Sequence, residues 1–495
     1  MQFPTRSCFA TLCALCLLPV TSAFAQEQLG MRLERFSGIY SAAINPANTA
    51  FTPHNWEVSL FNADAFFENS YAYLNNTSIQ NAFRNNNIVA ASDTSMERPL
   101  MPNDILLSFA EGEKPMHGVM RTAVYGPSFS ARIAEDHMVG LTFGVRSLFS
   151  AYEIPEVLAY NTISNVPIGQ KVAIPQTRGE GLAMAEIALH YSHRNTDNDL
   201  YTAWGITPKI LLGFEGFYAN ADTPFDYTSI GSDNTAFGQS DWNYALTTGN
   251  LTSNSDDIEL KRQGAGFGID FGWVWAMPAE DAAADDDYAW KFGISLIDAG
   301  FLKFGKGGET HRINFQDTVN VSGADFPNTN DPYERIRQAS QAFLGDPTAS
   351  LQKKSFVIGM PTALSVQFDT RVTHGFYVNT MIMQRFVLTP NSIHRPTTLA
   401  TVPRYEKKWY SISVPLVVND WRSMRVGLSA RLGFLYFGTD NVGSFMEKAK
   451  QSGSDFYIGF KINALTLSGK KLKFGGGGGG RRSRQKMRKI KCYEF

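Results

Sequence analysis

Residues able to do chemistry are few in this sequence, and their spacing keeps them apart. His190 and His193 are three apart, and on a strand that spacing sends the two imidazoles to opposite faces, so they cannot close on one metal ion. The acidic run from Asp281 to Asp287 offers carboxylates, but Ala282-Ala283-Ala284 interrupts it. A calcium loop needs oxygens at fixed alternate spacing, a glycine and a closing glutamate. Gly264-Ala265-Gly266-Phe267-Gly268 lacks the last glycine spacing of a dinucleotide fingerprint and sits inside a strand-like pattern. No His-Glu-x-x-His, Gly-x-Ser-x-Gly or Walker-type loop occurs. The catalytic arrangement left over is a serine, a histidine and an acid assembled from distant positions, as in an outer-membrane lipase. The expectation is a protein that is not an enzyme and holds no metal and no cofactor.

The elements that would position any functional group begin after an export signal. An uncharged apolar stretch runs from about Ala10 to Val20, and Ala23-Phe24-Ala25 before Gln26 reads as a cleavage site, which makes residues 1–25 a signal peptide. A transmembrane anchor and a lipoprotein signal compete with that reading. The run is short for a span, and Leu12 and Leu15 precede Cys13 and Cys16 where a lipobox wants a small residue. Cleavage removes Cys8, Cys13 and Cys16 and leaves Cys492, so the remaining 470 of 495 residues form no internal disulfide. An exported chain of that size must be held by a very large core or by a closed barrel in lipid.

Composition narrows the choice. A mean hydropathy of -0.19 excludes a multi-pass helical membrane protein, and 43% hydrophobic residues exclude a disordered chain. Phe occurs 36 times, Gly 42 and Tyr 19, which suits twisted aromatic-rich strands better than helices. The formal net charge of -1 conceals a separation: residues 26–480 carry -8 and are followed by a basic tail.

Period-2 alternation is the main signal. From Gly264 to Trp275, Ala265, Phe267, Ile269, Phe271, Trp273 and Trp275 share one face, while Gly264, Gly266, Gly268, Asp270 and Gly272 share the other. Large apolar residues outside and small or charged residues inside suit a barrel in lipid. The pattern recurs at 139–146, 425–434 and 456–463. Other candidate strands are 55–67, 104–110, 117–125, 127–134, 180–193, 200–217, 288–299, 355–368, 374–386 and 404–418, about fourteen in all. This predicts an all-β fold, an antiparallel up-and-down transmembrane β-barrel spanning 55–474. Connections alternate in length: Glu135-Asp136 and Asn419-Asp420 read as tight turns at the same end, and 150–179, 219–263, 300–354 and 438–453 as long loops at the other. An even count, which needs an external hairpin at Gly126-Pro127, puts both termini in the periplasm of a Gram-negative cell, with the barrel in the outer membrane.

Leu29-Gly30-Met31, then Ser41-Ala42-Ala43-Ile44-Asn45-Pro46-Ala47-Asn48 and Pro53-His54-Asn55-Trp56-Glu57, resemble the N-terminal signature of Bacteroidota outer-membrane barrels related to the FadL long-chain fatty-acid transporters and to PorV of type IX secretion. Gly266 to Gly272, Gly293 to Gly300, Phe437 to Asn441 and Asp455 to Gly459 add to the likeness, which extends over most of the chain after the signal. It resembles one uncharacterised branch of these barrels. The resemblance implies that residues 26–54 are a hatch in or near the lumen, marked by Asn45, Pro46 and Ala47, with Arg32, Glu34 and Arg35 pairing with the wall. A periplasmic linker is the alternative.

With this register the lumen carries Arg132, Arg146, Glu186, Lys209, Glu215, Asp270, Lys291, Arg385, Arg425, Arg431 and Lys461. These charges either pair with the hatch or line a path for an anionic solute. Beyond the barrel, Gly475 to Gly480 form a hinge, and residues 475–495 a basic periplasmic tail with Arg481, Arg482, Arg484, Lys486, Arg488, Lys489 and Lys491. The expected partners are outer-membrane lipids, a small hydrophobic ligand, and an exported or periplasmic protein, with no nucleic acid. Two functions fit: passive transport or binding of a small hydrophobic or amphipathic solute, or a secretion-associated barrel whose external loops bind an exported protein.

Overall fold

The computed structural model describes residues 27–75, 77, 81, 88–90, 105–109, 116–155, 167–196, 199–231, 233–248, 261–280, 287–329, 331–421, 423–446 and 451–463. The export signal, residues 281–286 of the acidic run, Cys492 and the basic tail lie outside them.

Among the described residues, fourteen strands each pair antiparallel with the next and the last returns to the first. They are β1 (Trp56–Asn69), β2 (116–134), β3 (His137–Ile154), β4 (Thr177–Asn195), β5 (Tyr201–Ala221), β6 (Gly264–Pro278) and β7 (Tyr288–Phe304). The second half is β8 (356–373), β9 (Phe376–Arg385), β10 (Thr398–Glu406), β11 (410–419), β12 (423–432), β13 (Leu435–Thr439) and β14 (Gly453–Asn463). Glu57 opposite Asn463 closes the ring. Closure leaves no unpaired edge, the condition a sheet must meet in hydrocarbon.

Burial follows the predicted alternation. Phe267, Phe271, Val145, Leu189, Ile210 and Phe368 are exposed large apolar residues on the outer face, whereas Asp270, Arg146, Lys209 and Gln367 are buried inside. A polar interior and an apolar exterior are those of a membrane barrel rather than of a soluble sandwich. Six of the seven connections at one end, 70–115, 155–176, 222–263, 305–355, 386–397 and 440–452, are long. At the other end lie both ends of the barrel and the shorter connections 135–136, 196–200, 279–287, 374–375, 407–409 and 433–434. These are called the loop end and the terminus end below.

Above the loop end sits a small cap. Lys171–Ile174, Phe225–Ser229, Asn234–Phe237 and Val319–Ser322 come from three different loops and make one four-stranded sheet. A short helix near the chain start, α1 (Leu29–Arg32), belongs to the lumen; the long helix α2 (Pro332–Leu344) belongs to the cap. Asp331 caps α2 by accepting the Tyr333 N–H at 2.9 Å, and Gly345 ends it at φ 76°, a left-handed turn that favours glycine. Phe343 anchors the helix, its ring centroid 4.8 Å from Trp242 and 5.1 Å from Phe237.

The strand assignment needs five corrections, which cancel in the count. Residues 104–110 do not enter the barrel: Ile105–Phe109 joins Ala72–Asn75 and Ile88–Ala90 in a separate three-stranded sheet of the first long loop. There is no hairpin at Gly126-Pro127, because both halves of β2 pair with β1 on one side and β3 on the other. Pro127 lacks a ladder donor, so it interrupts the strand without reversing it. Residues 404–418 divide into the end of β10 and β11, with Lys407 N–H donating to the Tyr410 carbonyl at 2.8 Å across the turn. The 425–434 run stops at Gly433, whose φ of 60° reverses the chain into β13, a five-residue strand that alternation alone is too short to reveal. The extra reversal at 407–409 puts the turn at Asn419-Asp420 at the loop end, not the terminus end, and the one at Gly433 restores the alternation.

Candidate functional site

Residues 27–55 do not lie beneath the barrel but inside it, as a hatch. Leu29, Ile44, Asn45 and Ala47 are all 1% exposed or less. The segment has too few apolar residues at a regular period to fold alone, and it takes its shape from local caps: α1, then two 3-10 turns, Gly38–Ala43 and Pro46–Phe51. Asn45 begins the second turn, its Oδ1 accepting the Ala47 N–H at 3.0 Å, with Pro46 supplying a preset first residue. Asn45 Nδ2 then donates to the Trp273 and Ile294 carbonyls, both at 3.4 Å, and Ser295 Oγ donates to the Ile44 carbonyl at 2.6 Å. Two wall positions that face this motif are glycines. A Cβ on Gly205 would lie 2.5 Å from the Pro46 carbonyl carbon, and one on Gly272 would lie 2.0 Å from Asn45 Oδ1. The Asn-Pro-Ala element is thus seated on glycines of β5 and β6.

Charges fasten the rest of the hatch. Glu34 accepts from Arg431 at 2.8 Å, and Arg35 reaches Asp287 at 3.4 Å and the Tyr377 hydroxyl at 2.9 Å. Glu57, at the start of β1, accepts the Ile39 N–H at 2.6 Å, and its other carboxylate oxygen lies 2.8 Å from His54 Nε2 and 3.3 Å from Lys461 Nζ. Deeper in the lumen, Glu27 gathers Arg395 at 3.0 Å, Arg121 at 3.1 Å and Arg32 at 3.4 Å. Arg395 comes from the 386–397 loop, so the hatch is gripped from the loop end as well as from the wall.

A second acid, Asp298, completes the central layer. Arg146 approaches it at 2.9 Å, Lys209 at 2.8 Å and Arg395 at 3.5 Å, while Lys209 also pairs with Asp270 and Arg146 with Glu186. Directly toward the loop end, the next inward position on each strand is apolar: Leu148 follows Arg146, Met184 precedes Glu186 and Leu211 follows Lys209. These join Leu302, Phe304, Ile358 and Ile393 in one buried cluster. The lumen is therefore layered from cap to apolar cluster to charges to hatch.

The cavities beside the hatch are small. One between the hatch and β2–β7, lined by Arg32, Arg121, Arg146, His190, Asp270 and Asp298 among others, has room for a few waters. Two others have room for about one water each.

Electrostatics away from the strands favours a seated hatch. Burial raises the Glu27 carboxyl, but Arg395, Arg121 and Arg32 together outweigh it and hold the group below its ordinary range. Burial lowers His54 more than Glu57 raises it, so its imidazole is held neutral.

The expected lumen charges separate into three groups. Arg146, Glu186, Lys209 and Asp270 meet in the central layer; Arg431 and Lys461 hold the hatch at the terminus end. Arg132 leaves the lumen network and binds backbone carbonyls of Thr52 and Glu135 at the terminus rim. Arg425 pairs with Glu68 at 2.6 Å, and Arg385 ends β9 at the loop rim. Glu215 accepts from Thr247 near the loop end, and Lys291 lies 5.9 Å from the Phe51 ring. The hatch charges do pair with the wall, Arg32 reaching Asp64 at 3.8 Å besides the contacts of Glu34 and Arg35.

Sequence reasoning missed Asp298, Arg121, Glu27 and Arg395. Strict alternation aims Asp298 at lipid; a β-bulge opposite Asp270 turns it inward at φ 52°, where its N–H donates to Asp270 at 2.7 Å. A lone carboxylate on the apolar face of a strand is the available signal for such a bulge. As expected, His190 and His193 part: His190 lies between the Thr142 and Thr207 hydroxyls inside, and the His193 ring lies tilted against that of His137, 4.6 Å between centroids. Ser70 Oγ lies 3.0 Å from His117 Nδ1, but it also accepts the His117 N–H at 2.9 Å, which closes the start of a loop.

Comparison with solved structures returns several outer-membrane channels at low scores. The TodX deltaS2S3 mutant, a monoaromatic hydrocarbon channel, has a TM-score of 0.41 at 10% identity, covering 89% of this chain and 98% of that one. The toluene transporter TodX of Pseudomonas putida gives 0.30 at 8% identity, covering 89% and 99%. A FadL homologue of Pseudomonas aeruginosa gives 0.24 at 9% identity, covering 89% and 98%. At such scores the barrel assignment rests on the strand pairing of this chain itself. A comparison with curated proteins found no match. Residues 29–440, from the hatch helix to the end of β13, match DUF5723, a family of unknown function, and the chain belongs to that family.

Proposed function

We propose that this protein is a hatch-closed outer-membrane channel for a small amphipathic solute, an apolar chain or ring with an anionic head. The observation that carries the reading is the layering of the lumen. A solute entering from the loop end meets Leu148, Met184, Leu211 and Leu302 before it meets Arg146, Lys209 and Arg395. Apolar burial favours the tail in the first layer, and charge-assisted hydrogen bonds favour a carboxylate in the second. Passage requires the hatch to move, since the cavities found beside it among the described residues have room only for water. Export after a cleaved signal puts the terminus end in the periplasm.

Liposomes containing the purified protein test this. Uptake of a medium-chain fatty acid should exceed that of a neutral sugar and fall when Arg146 is replaced by Met. Absence of flux for either solute would overturn the proposal. One observation favours a second reading, an exported protein held by the loops: the cap sheet is built from three loops and ends in two short edge strands, Lys171–Ile174 and Val319–Ser322. Stable co-purification of a secreted protein, lost on deleting the cap, would support it.

A further inference from the structure

Exposed cations at the loop end fall into two kinds. Several stand beside an acid: Lys171 lies 3.1 Å from Asp226, Arg178 3.5 Å from Asp222, Arg312 2.6 Å from Asp241 and Arg337 3.8 Å from Glu334. Arg262, Lys303, Lys306, Lys353 and Lys354 are exposed too, but none makes an ion pair among the described residues. These five gather on one sector of the rim, over β6, β7 and β8. Lys303 pairs across the ladder with Ala265 on one side and Val357 on the other. Lys306 N–H donates to the Gln263 carbonyl at 3.2 Å, next to Arg262 in the chain, and Lys354 precedes Val357 by three residues. The rim segments 261–267, 301–308 and 351–359 hold six basic residues and no acidic one. Five cations with no acid among them repel one another, and an anion placed between them relieves that repulsion.

The height of the sector on the wall says what kind of anion. Trp273 and Trp275 share the outer face of β6 with Phe267 and Phe271 and lie toward the terminus end, where aromatic residues mark a membrane boundary. A tilted strand crosses the hydrocarbon in about 9–11 residues, so a span begun at Trp275 ends near Ala265. Lys303, directly opposite Ala265, therefore stands at the outer boundary. Two residues further into the hydrocarbon, Phe301 and Phe267 face each other across the same pair of strands, and both are exposed. Beside them the chain leaving β9 adds Phe386, Val387 and Leu388, all exposed, with Phe386 N–H donating to the Thr362 carbonyl at 2.9 Å. A basic cluster thus sits on top of an apolar shelf that faces lipid.

We propose that this sector is a binding site for a phosphate-bearing glycolipid of the outer leaflet, its acyl chains against Phe301 and Phe267 and its phosphates among Lys303, Lys306 and Arg262. Phosphate oxygens accept charge-assisted hydrogen bonds from ammonium and guanidinium groups, and the chains cover apolar surface that lies in the hydrocarbon in any case. The paired cations Lys171, Arg178, Arg312 and Arg337 already have an acid beside them, which leaves the β6–β8 sector as the place on the described rim where such a head group is favoured. The inference rests on the reading that puts the loop end outside the cell and not on any transported solute.

The test uses the detergent-purified barrel, native mass spectrometry to count bound lipid, and bis-phosphorylated lipid A as the probe. Wild type should retain lipid A, and Lys303→Gln/Lys306→Gln should weaken binding about 25-fold, since each cation near an anionic surface is worth roughly fivefold. Lys171→Gln/Arg178→Gln removes the same formal charge from paired positions at the loop end and should change binding less than about threefold. Migration on unboiled gels checks that each variant is folded. If a variant does not fold, the wild-type barrel decides alone: dephosphorylated lipid A should bind at least about 25-fold more weakly than the phosphorylated probe. No retention of lipid A, equal weakening in the two double variants, equal binding of the dephosphorylated probe, or equal binding of phosphatidylglycerol each overturns the proposal. Orientation is read separately, because an impermeant maleimide on intact cells should label Arg337→Cys in α2 above the wild-type level. Failure to label overturns the outer-leaflet source together with the orientation, while failure of solute flux bears on the transport reading alone.

Discussion

Replacing Gly205 by Ala should loosen the hatch from its seat on β5. The new Cβ would stand 2.5 Å from the Pro46 carbonyl carbon, 2.6 Å from the Ala47 nitrogen and 2.7 Å from the Pro46 oxygen. All three are backbone atoms, so no rotamer change relieves the clash. Either β5 bows outward or the hatch withdraws by roughly 1 Å, enough to reach ordinary van der Waals contact. Overpacking of this kind costs about 1–3 kcal/mol, which raises the unseated fraction roughly 5- to 150-fold. Gly268→Ala is the control, since its nearest neighbours are the Leu211 and Lys209 side chains at 3.6 Å. It should be neutral or gain up to about 1 kcal/mol from reduced unfolded-state entropy. Trypsin reads the difference, because Arg32 is 1% exposed and is cleaved only once the hatch leaves the wall. When opening is fast relative to cleavage, the cleavage rate tracks the open population. Equal cleavage of Gly205→Ala, Gly268→Ala and wild type would refute the idea that the wall glycines are the seat.

Three further outcomes follow from the same geometry. Asp298→Asn keeps the φ of 52° accessible but leaves Arg146, Lys209 and Arg395 facing one another, so chemical unfolding should show a loss of about 3–5 kcal/mol, and a change below about 0.5 kcal/mol would refute a central role. His54, with its pKa lowered by burial, binds a proton more readily unfolded than folded; its stabilisation is full above the unfolded value of about 6.5 and is lost as pH falls from there toward the folded value, at no more than about 1.4 kcal/mol per unit. Thermal melts of His54→Gln should lack that part of the decline between pH 7 and pH 5. Phe343→Ala removes the ring that α2 places against Trp242, Phe237 and Phe315, so hydrogen exchange should quicken in Asn234–Phe237 and Ser240–Thr247 while heat-modifiable migration of the barrel stays unchanged.

The barrel was legible because one physical rule, apolar outside and polar inside, repeats along every strand. Gly264 to Trp275 shows it in sequence and keeps it in the structure, with Phe267 and Phe271 exposed and Asp270 buried. The rule fails where the backbone leaves the regular ladder. The bulge at Asp298, the interruption at Gly126-Pro127 and the five-residue β13 each change facing or count without changing composition. The candidate site was half legible. Asn45, Pro46 and Ala47 stood out through a resemblance, and Arg146, Lys209 and Asp270 through alternation. Arg395 was hidden because it reaches the lumen from a loop, where no periodicity assigns a direction.

The hatch is joined to the wall through charges and hydrogen bonds as well as through apolar clusters that include Leu29, Ile39 and Phe51, and the polar part of that seat bears on whether it can move. An apolar plug of the same size would lose about 25 cal/mol for every Å² exposed as the lumen floods. Ion pairs such as Glu34–Arg431, Arg35–Asp287 and Glu27–Arg395 behave differently in the two situations that break them. Deleting one partner leaves the other buried and unpaired, which costs several kcal/mol. Withdrawing the whole hatch lets water reach both partners, so hydration offsets most of what separation loses, and a screened pair is worth about 0–1 kcal/mol. The same contacts therefore resist mutation strongly and withdrawal weakly. In the apolar layer Leu148, Met184 and Leu211 already touch one another's cluster rather than the hatch, so that layer need not come apart when the hatch leaves. The polar part of the seat therefore resists loss of a partner more than it resists withdrawal, whereas the apolar contacts of Leu29, Ile39 and Phe51 oppose withdrawal in proportion to the area exposed.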